Sequence, residues 1–339
     1  MTQGKDWSSF ENSFKTEVRS FNRTAANQLA LIFDGIGQLQ TRAGRPLVVD
    51  AGPDTDFHIL YRARVFLSDD KLKTALGRPD IHFGPPPPAL AATGSMSTRG
   101  VSVLHGSSNQ DAAIAEARPP VGSRVAVAQF EIIRHLRLLD LTALRDVRVT
   151  GSLADFGLAG RLESAVFLRS LGGHIARPAM ADDEPHGYFV TQAIVDFLAT
   201  GASVPIDGII FPSVQAAGDV FSVILFHGAA RVEPMNIPEG TEISASTGRW
   251  TEYGWVEEYE VFENAPLVSG KFDSSEHDPD FDAITEATPL APQVANWRDD
   301  SLRIVPASVR VHRVKRVEFA TDEFTVKRHH RDEQDSFNF

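Results

Sequence analysis

Between Leu47 and Phe226 the sequence sets short β-prone runs beside short helical stretches in no regular alternation, and this limits the fold more than any other feature. Leu47–Val49 and Ile59–Phe66 are the first β-prone runs, and a strand is expected over Val101–Leu104. Gln110–Ala117 reads as a short helix stopped by Pro119 and Pro120, with strands following over Arg124–Ile133 and Leu136–Leu141. A helix is expected over Leu158–Leu171. Another should run from near His186 to Gly201, because Val190, Ala193, Ile194, Phe197 and Leu198 fall at i, i+3, i+4, i+7 and i+8. Strands over Gly208–Pro212 and Phe221–Phe226 complete the set. A doubly wound parallel sheet needs strands and helices in strict turn, so the expected class is α+β. No G-x-G-x-x-G follows a strand and no G-x-x-x-x-G-K-[ST] occurs, which leaves both familiar nucleotide loops unsupported.

Two flanks differ from this middle. Ser8 with Glu11 forms a capping box, and Phe10, Phe14, Val18, Phe21, Ala25, Leu29 and Ile32 follow on one helical face. Residues 1–45 therefore read as a helical arm, and residues 46–235 as the main domain. Pro85–Pro88 must lie in a loop, since four prolines cannot join a ladder. Residues 236–339 form a third composition, with strands suggested across Gly248–Pro266. Around Val309, Val311, Val314, Val317 and Phe319 a period-2 pattern slips phase, as in a bulged hairpin. Between these, Ser269–Ala291 reads as a long acidic mobile loop, and the last residues as frayed.

Composition removes several function classes. The chain has no cysteine, which excludes disulfides and thiolate metal sites. Its net charge of −12 lacks the basic footprint of a general nucleic-acid binder. No apolar run reaches the roughly 18 residues of a membrane span, and the start lacks the apolar stretch of a secretory signal. The expectation is a cytoplasmic protein with no nucleic-acid or membrane partner.

Polar residues in otherwise apolar runs mark the candidate site. Arg62 lies within ILYRARVF, His105 ends VSVLH, Glu116 sits among Ala112, Ala113 and Ala115, and Ser213 follows GIIFP. Each alone reads as a hydrogen-bonded structural group; together, at strand ends and the loops after them, they resemble a site. His329 and His330 are adjacent and point apart in extended chain, so no metal is expected there. Asp182, Asp183 and Glu184 precede a helix and suit its positive end.

The blocks LYRARVF, GPPPPALAATGSMSTRGVSVLHGSSNQDAAIAEARPPVGSRVAVAQFE, LRLLDL, DDEPHGYFVTQAIVDFLA and DGIIFPSVQAAGDVFSVILF occur in the order seen in long RES-domain proteins. From about Phe57 to Glu233 the chain thus resembles the RES-domain family. The resemblance implies an ADP-ribosyltransferase-like fold of mixed and antiparallel sheet. It also implies cleavage of the nicotinamide–ribose bond of NAD, by phosphorolysis, hydrolysis or transfer to a macromolecule. Many such proteins are toxins held by an antitoxin or immunity protein, so a partner of that kind is implied; the oligomeric state is not. Glu116 matches the family's acidic residue and would stabilise an oxocarbenium-like transition state. Arg62 matches the arginine of the L-Y-R-A block and would hold the pyrophosphate; Ser213 would bond the ribose or the nicotinamide amide. Two positions depart from the pattern. Ser95 stands where the family has arginine, which removes a charge-assisted bond worth roughly 1.5–3 kcal/mol. His105 stands where it has tyrosine and could still stack as a flat ring. Arg99 could substitute for the missing arginine. If these changes abolish catalysis, the alternative is a degenerate RES domain that binds a nucleotide or protein.

Overall fold

The computed structural model describes residues 23–87, 89, 101–149, 157–175, 189–202, 205–213, 215–216, 218, 220–266 and 300–328. In chain order the elements are α1 (Arg23–Phe33), β1 (Gln40–Thr41), β2 (Val48–Ala51), β3 (Ile59–Phe66), α2 (Asp69–Gly77) and α3 (Pro79–His82). Then come β4 (Leu104–Ser107), α4 (Gln110–Glu116), β5 (Arg124–Ile132), β6 (Leu136–Asp140), β7 (Val147–Arg148), α5 (Leu158–Ile175) and α6 (Phe189–Thr200). The last are β8 (Gly208–Pro212), β9 (Phe221–Leu225), β10 (Glu242–Ser246), β11 (Arg249–Thr251), β12 (Gly254–Val256), β13 (Glu260–Asn264) and β14 (Leu302–Arg313).

Eight of the strands form one sheet in the order β14-β5-β3-β4-β9-β8-β6-β2. Every pairing in it is antiparallel except β6 with β8. That mixture, with helices on both sides, is the α+β class the irregular element order predicts.

Period-2 alternation sends each strand's residues to opposite faces. On one face Ile209 and Ile224 pack with Leu29, Phe33, Leu168 and Ile194 of α1, α5 and α6. Further along that face α4 sets Ala113 against Val125 and Val127, beside Tyr61 and Ala63. On the opposite face Leu60, Leu104, Phe130 and Leu225 close over Leu72, Ala75 and Phe83. Leu60 and Phe130 are fully buried, so truncating either to alanine costs about 2–5 kcal/mol.

Ion pairs fasten the rest to this frame. The buried Asp80 accepts from Arg78 Nη2 at 2.7 Å and from the Met235 amide at 3.0 Å, tying α3 to the chain after β9. Asp69, in the first turn of α2, pairs with Arg124 and accepts from Thr247 Oγ1 at 2.7 Å. Asp140 accepts from the Thr142 and Ala143 amides, capping a 3₁₀ turn over Leu141–Asp146, and pairs with Arg45.

Two expected elements lie elsewhere. The strand expected over Val101–Leu104 begins at Leu104 instead, because its partner β9 spans only the positions opposite Leu104–Ser107. The phase slip after Val311 is not a bulged hairpin: Leu302–Arg313 is one long strand, with its irregularity earlier, between Val305 and Arg310. Pro306 has no amide hydrogen to give there, and Ser308 Oγ takes the Gln129 amide at 2.9 Å in place of a backbone carbonyl. The helix expected from near His186 is described from Phe189 onward, and the arm from Arg23 onward. The capping box at Ser8, Asp182–Glu184, the loop expected over Ser269–Ala291, and His329 and His330 lie outside the described residues.

Candidate functional site

β3 and β4 are neighbours in the sheet but share a single residue pair, Tyr61 with Ser107. Beyond it the two strands separate, and a wedge opens between them. Arg62 bridges its narrow end: Nη1 donates to the His105 carbonyl at 3.4 Å. Gly106 keeps the next turn of β4 close to Leu60, whose side chain an added Cβ would meet at 3.3 Å.

A cavity of about 200 Å³ lies beside the wedge. Its floor follows from strand register. His105 and Ser107 alternate on β4, Ser107 pairs with Ser222 on β9, and Ser222 pairs with Phe211 on β8. Tyr61, Arg62 and Glu116 also line it. Asn109 caps α4 by accepting the Ala112 amide at 2.8 Å, and Glu116 ends that helix.

The Glu116 carboxylate is held at one oxygen. Oε1 accepts from Ser213 Oγ at 2.6 Å and from Ser222 Oγ at 3.2 Å. Ser213 Oγ also accepts the Gln215 amide at 3.4 Å, so a residue after β8 and one inside β9 hold the carboxylate together. Glu116 is half-buried and Ser222 buried. With Oε1 engaged twice, Oε2 has no hydrogen-bond donor among the described residues.

The local field is unfavourable to positive charge. Burial, then the neighbouring Arg64, pulls the Arg62 guanidinium down to about 9, which still leaves it charged at neutral pH. Loss of solvent around His105, then the Arg62 charge, pushes its imidazole down to about 4, so the ring that opens on the cavity is neutral at pH 7. The cavity therefore presents a fixed carboxylate, a neutral imidazole and a guanidinium whose charge is poorly compensated.

Four of the sequence-derived candidates meet here: Arg62, His105, Glu116 and Ser213. Ser95 and Arg99 lie outside the described residues. Sequence reasoning passed over Ser222, Ser107, Tyr61 and Phe211. Ser222 carried a usable signal, a lone hydroxyl inside the apolar run Phe221–Phe226. Among the described residues no group of three or more histidines, aspartates or glutamates is placed to hold a metal ion. No helix among them is long and apolar enough to cross a membrane.

No curated protein and no solved structure gives a significant match to the chain. A family model described as the RES domain matches residues 59–245, more than half the chain. That span takes in β3, the wedge, the cavity and each residue that holds Glu116, and on it the chain belongs to the RES domain family.

Proposed function

We propose that the protein binds NAD in this cavity and cleaves the bond between nicotinamide and ribose. The observation that carries the reading is the Glu116 carboxylate, fixed at Oε1 by Ser213 and Ser222 and standing at a cavity that Arg62 also lines. Breaking that bond leaves positive charge on the ribose ring. A carboxylate already oriented needs no reorganisation as the charge develops. Arg62 would take the diphosphate and His105 would lie flat against a ring. A neutral imidazole can also accept a proton from the attacking hydroxyl, water or phosphate. A cavity of about 200 Å³ is smaller than whole-ligand pockets, so it would receive the nicotinamide-riboside end alone. Proteins with this domain that act on NAD include toxins held by a partner, so an antitoxin-like partner fits the same reading.

The test is nicotinamide release from NAD by the purified chain, in phosphate buffer and with acceptor proteins, beside the Glu116→Gln variant. Release that vanishes in the folded variant supports the reading; no release from the wild-type chain under any of these conditions overturns it.

Ser95 in place of an arginine favours a second reading, a RES domain that binds a nucleotide or protein without catalysis. The double change Ser95→Arg with His105→Tyr separates the two, since a decayed site gains activity and a working one does not.

A further inference from the structure

β3 carries a second arginine on the same face as Arg62, two residues along at Arg64. Each stands opposite an alanine of β5, Arg62 against Ala128 and Arg64 against Ala126. Both alanines are fully buried. Such small partners leave the surface beside them open to guanidinium groups. Among the described residues neither arginine meets a carboxylate. The Arg62 side chain bonds a backbone carbonyl, and no ion pair or side-chain hydrogen bond joins Arg64 to a described residue.

Most partly buried arginines elsewhere are paired: Arg78 with Asp80, Arg124 with Asp69, Arg134 with Asp207, Arg231 with Asp300. Two half-buried like charges side by side cost free energy that packing must offset. His82, at the end of α3, cannot supply the negative charge, since an imidazole is neutral or cationic, and burial and then Arg64 disfavour its charged form. A ligand with two negative charges would reverse the sign of the arrangement. Both arginines stand on the Leu60 face of β3; Arg62 also lines the cavity, and Arg64 lies one strand repeat beyond that lining. Alternate residues on a strand lie about 7 Å apart, a span that two linked phosphates can bridge.

Building on the proposed NAD reaction, we infer that Arg62 and Arg64 form a two-arginine cradle for the diphosphate of the dinucleotide, with Arg64 supplying the charge that Ser95 does not. The nicotinamide-riboside end enters the cavity while the diphosphate lies along this face of β3, against forks suited to paired oxygens.

Calorimetric titration with ADP-ribose and with inorganic pyrophosphate tests this without turnover. Arg64→Met should weaken ADP-ribose binding roughly ten- to a hundredfold. Its melting temperature should stay or rise, because an uncompensated charge has gone. Arg64→Lys keeps charge without the fork and should fall between. An arginine with only a structural part behaves oppositely: its loss lowers the melting temperature and leaves affinity alone. That result, or a wild-type chain that binds neither probe at low salt, overturns the cradle. A wild-type chain that binds ADP-ribose through both arginines but releases no nicotinamide keeps the cradle and loses the reaction.

Discussion

At the seam between the sheet and the C-terminal extension, Arg78, Arg124, Arg303 and Arg313 each meet a carboxylate. On β3, at the wedge and one repeat along, Arg62 and Arg64 meet none among the described residues. Both regions carry arginines, Arg78 and Arg124 of the seam being partly buried like Arg62 and Arg64, but only the seam satisfies its charges from within. The seam is finished by folding alone. The wedge side is left with a charge imbalance, and near it the Glu116 carboxylate is held at one oxygen by Ser213 and Ser222. Paired charges thus hold the seam together, and the unpaired ones are where the proposed diphosphate would bind.

The largest effect expected on the cavity side comes from Glu116→Gln. Nicotinamide release should fall roughly 10²–10³-fold, the usual scale for one preorganised electrostatic group, with the melting temperature unchanged. A large loss of stability instead would make Glu116 part of the seam's chemistry. At the seam the sharpest change is Asp80→Ala, which strands a partly buried guanidinium and the Met235 amide. It should cost about 2–3 kcal/mol in urea unfolding and leave the NAD affinity of the folded chain unaltered.

The same carboxylate sets an acid limit. Burial alone would raise the Asp80 carboxyl, but the Arg78 fork and the Met235 amide outweigh it and hold the group below the ordinary range. A folded value below the unfolded one stabilises the protein above the unfolded value and is lost as pH falls through the folded one. Stability should hold down to about pH 5 and drain away below about pH 4, and Asp80→Asn should flatten that slope. Smaller still, Ser222→Ala removes one of two donors to Glu116 Oε1 and should lower kcat about fivefold with KM for NAD unchanged. An equal loss in Asp80→Ala would erase the distinction between the regions. Finally, with the His105 imidazole pushed down to about 4, the pH–rate profile should show no inflection near pH 6.5. One there would mean the ring is as well solvated as a free histidine.

Strands β3, β5, β8 and β9 were legible because their apolar runs are continuous and bounded by proline, glycine or a charged turn. Helix α4 was legible from its alanines and the Pro119–Pro120 stop. Arg62, Glu116 and Ser213 stood out as polar residues in apolar company, and the fold does bring them together. What could not be read was pairing. Ser222 reaches Glu116 only because β9 lies beside β4, a contact between residues 106 positions apart. Arg64 passed as one more strand arginine, since a missing counterion is visible only once every neighbour is placed. The reach of β14 along β5 was hidden for the same reason, and its irregularity, at Pro306 to Ser308, lies ahead of the phase slip expected between Val311 and Val314.

That last strand has a consequence for solubility. β14 lies beyond residue 245, where the family match ends, yet it covers eight positions of β5. A chain ended at residue 245 would keep the cavity, the wedge and Glu116, but it would bare a row of unbonded amides and carbonyls along β5. An open strand of that length is a template for other chains, so such a fragment is expected to precipitate by edge-to-edge growth.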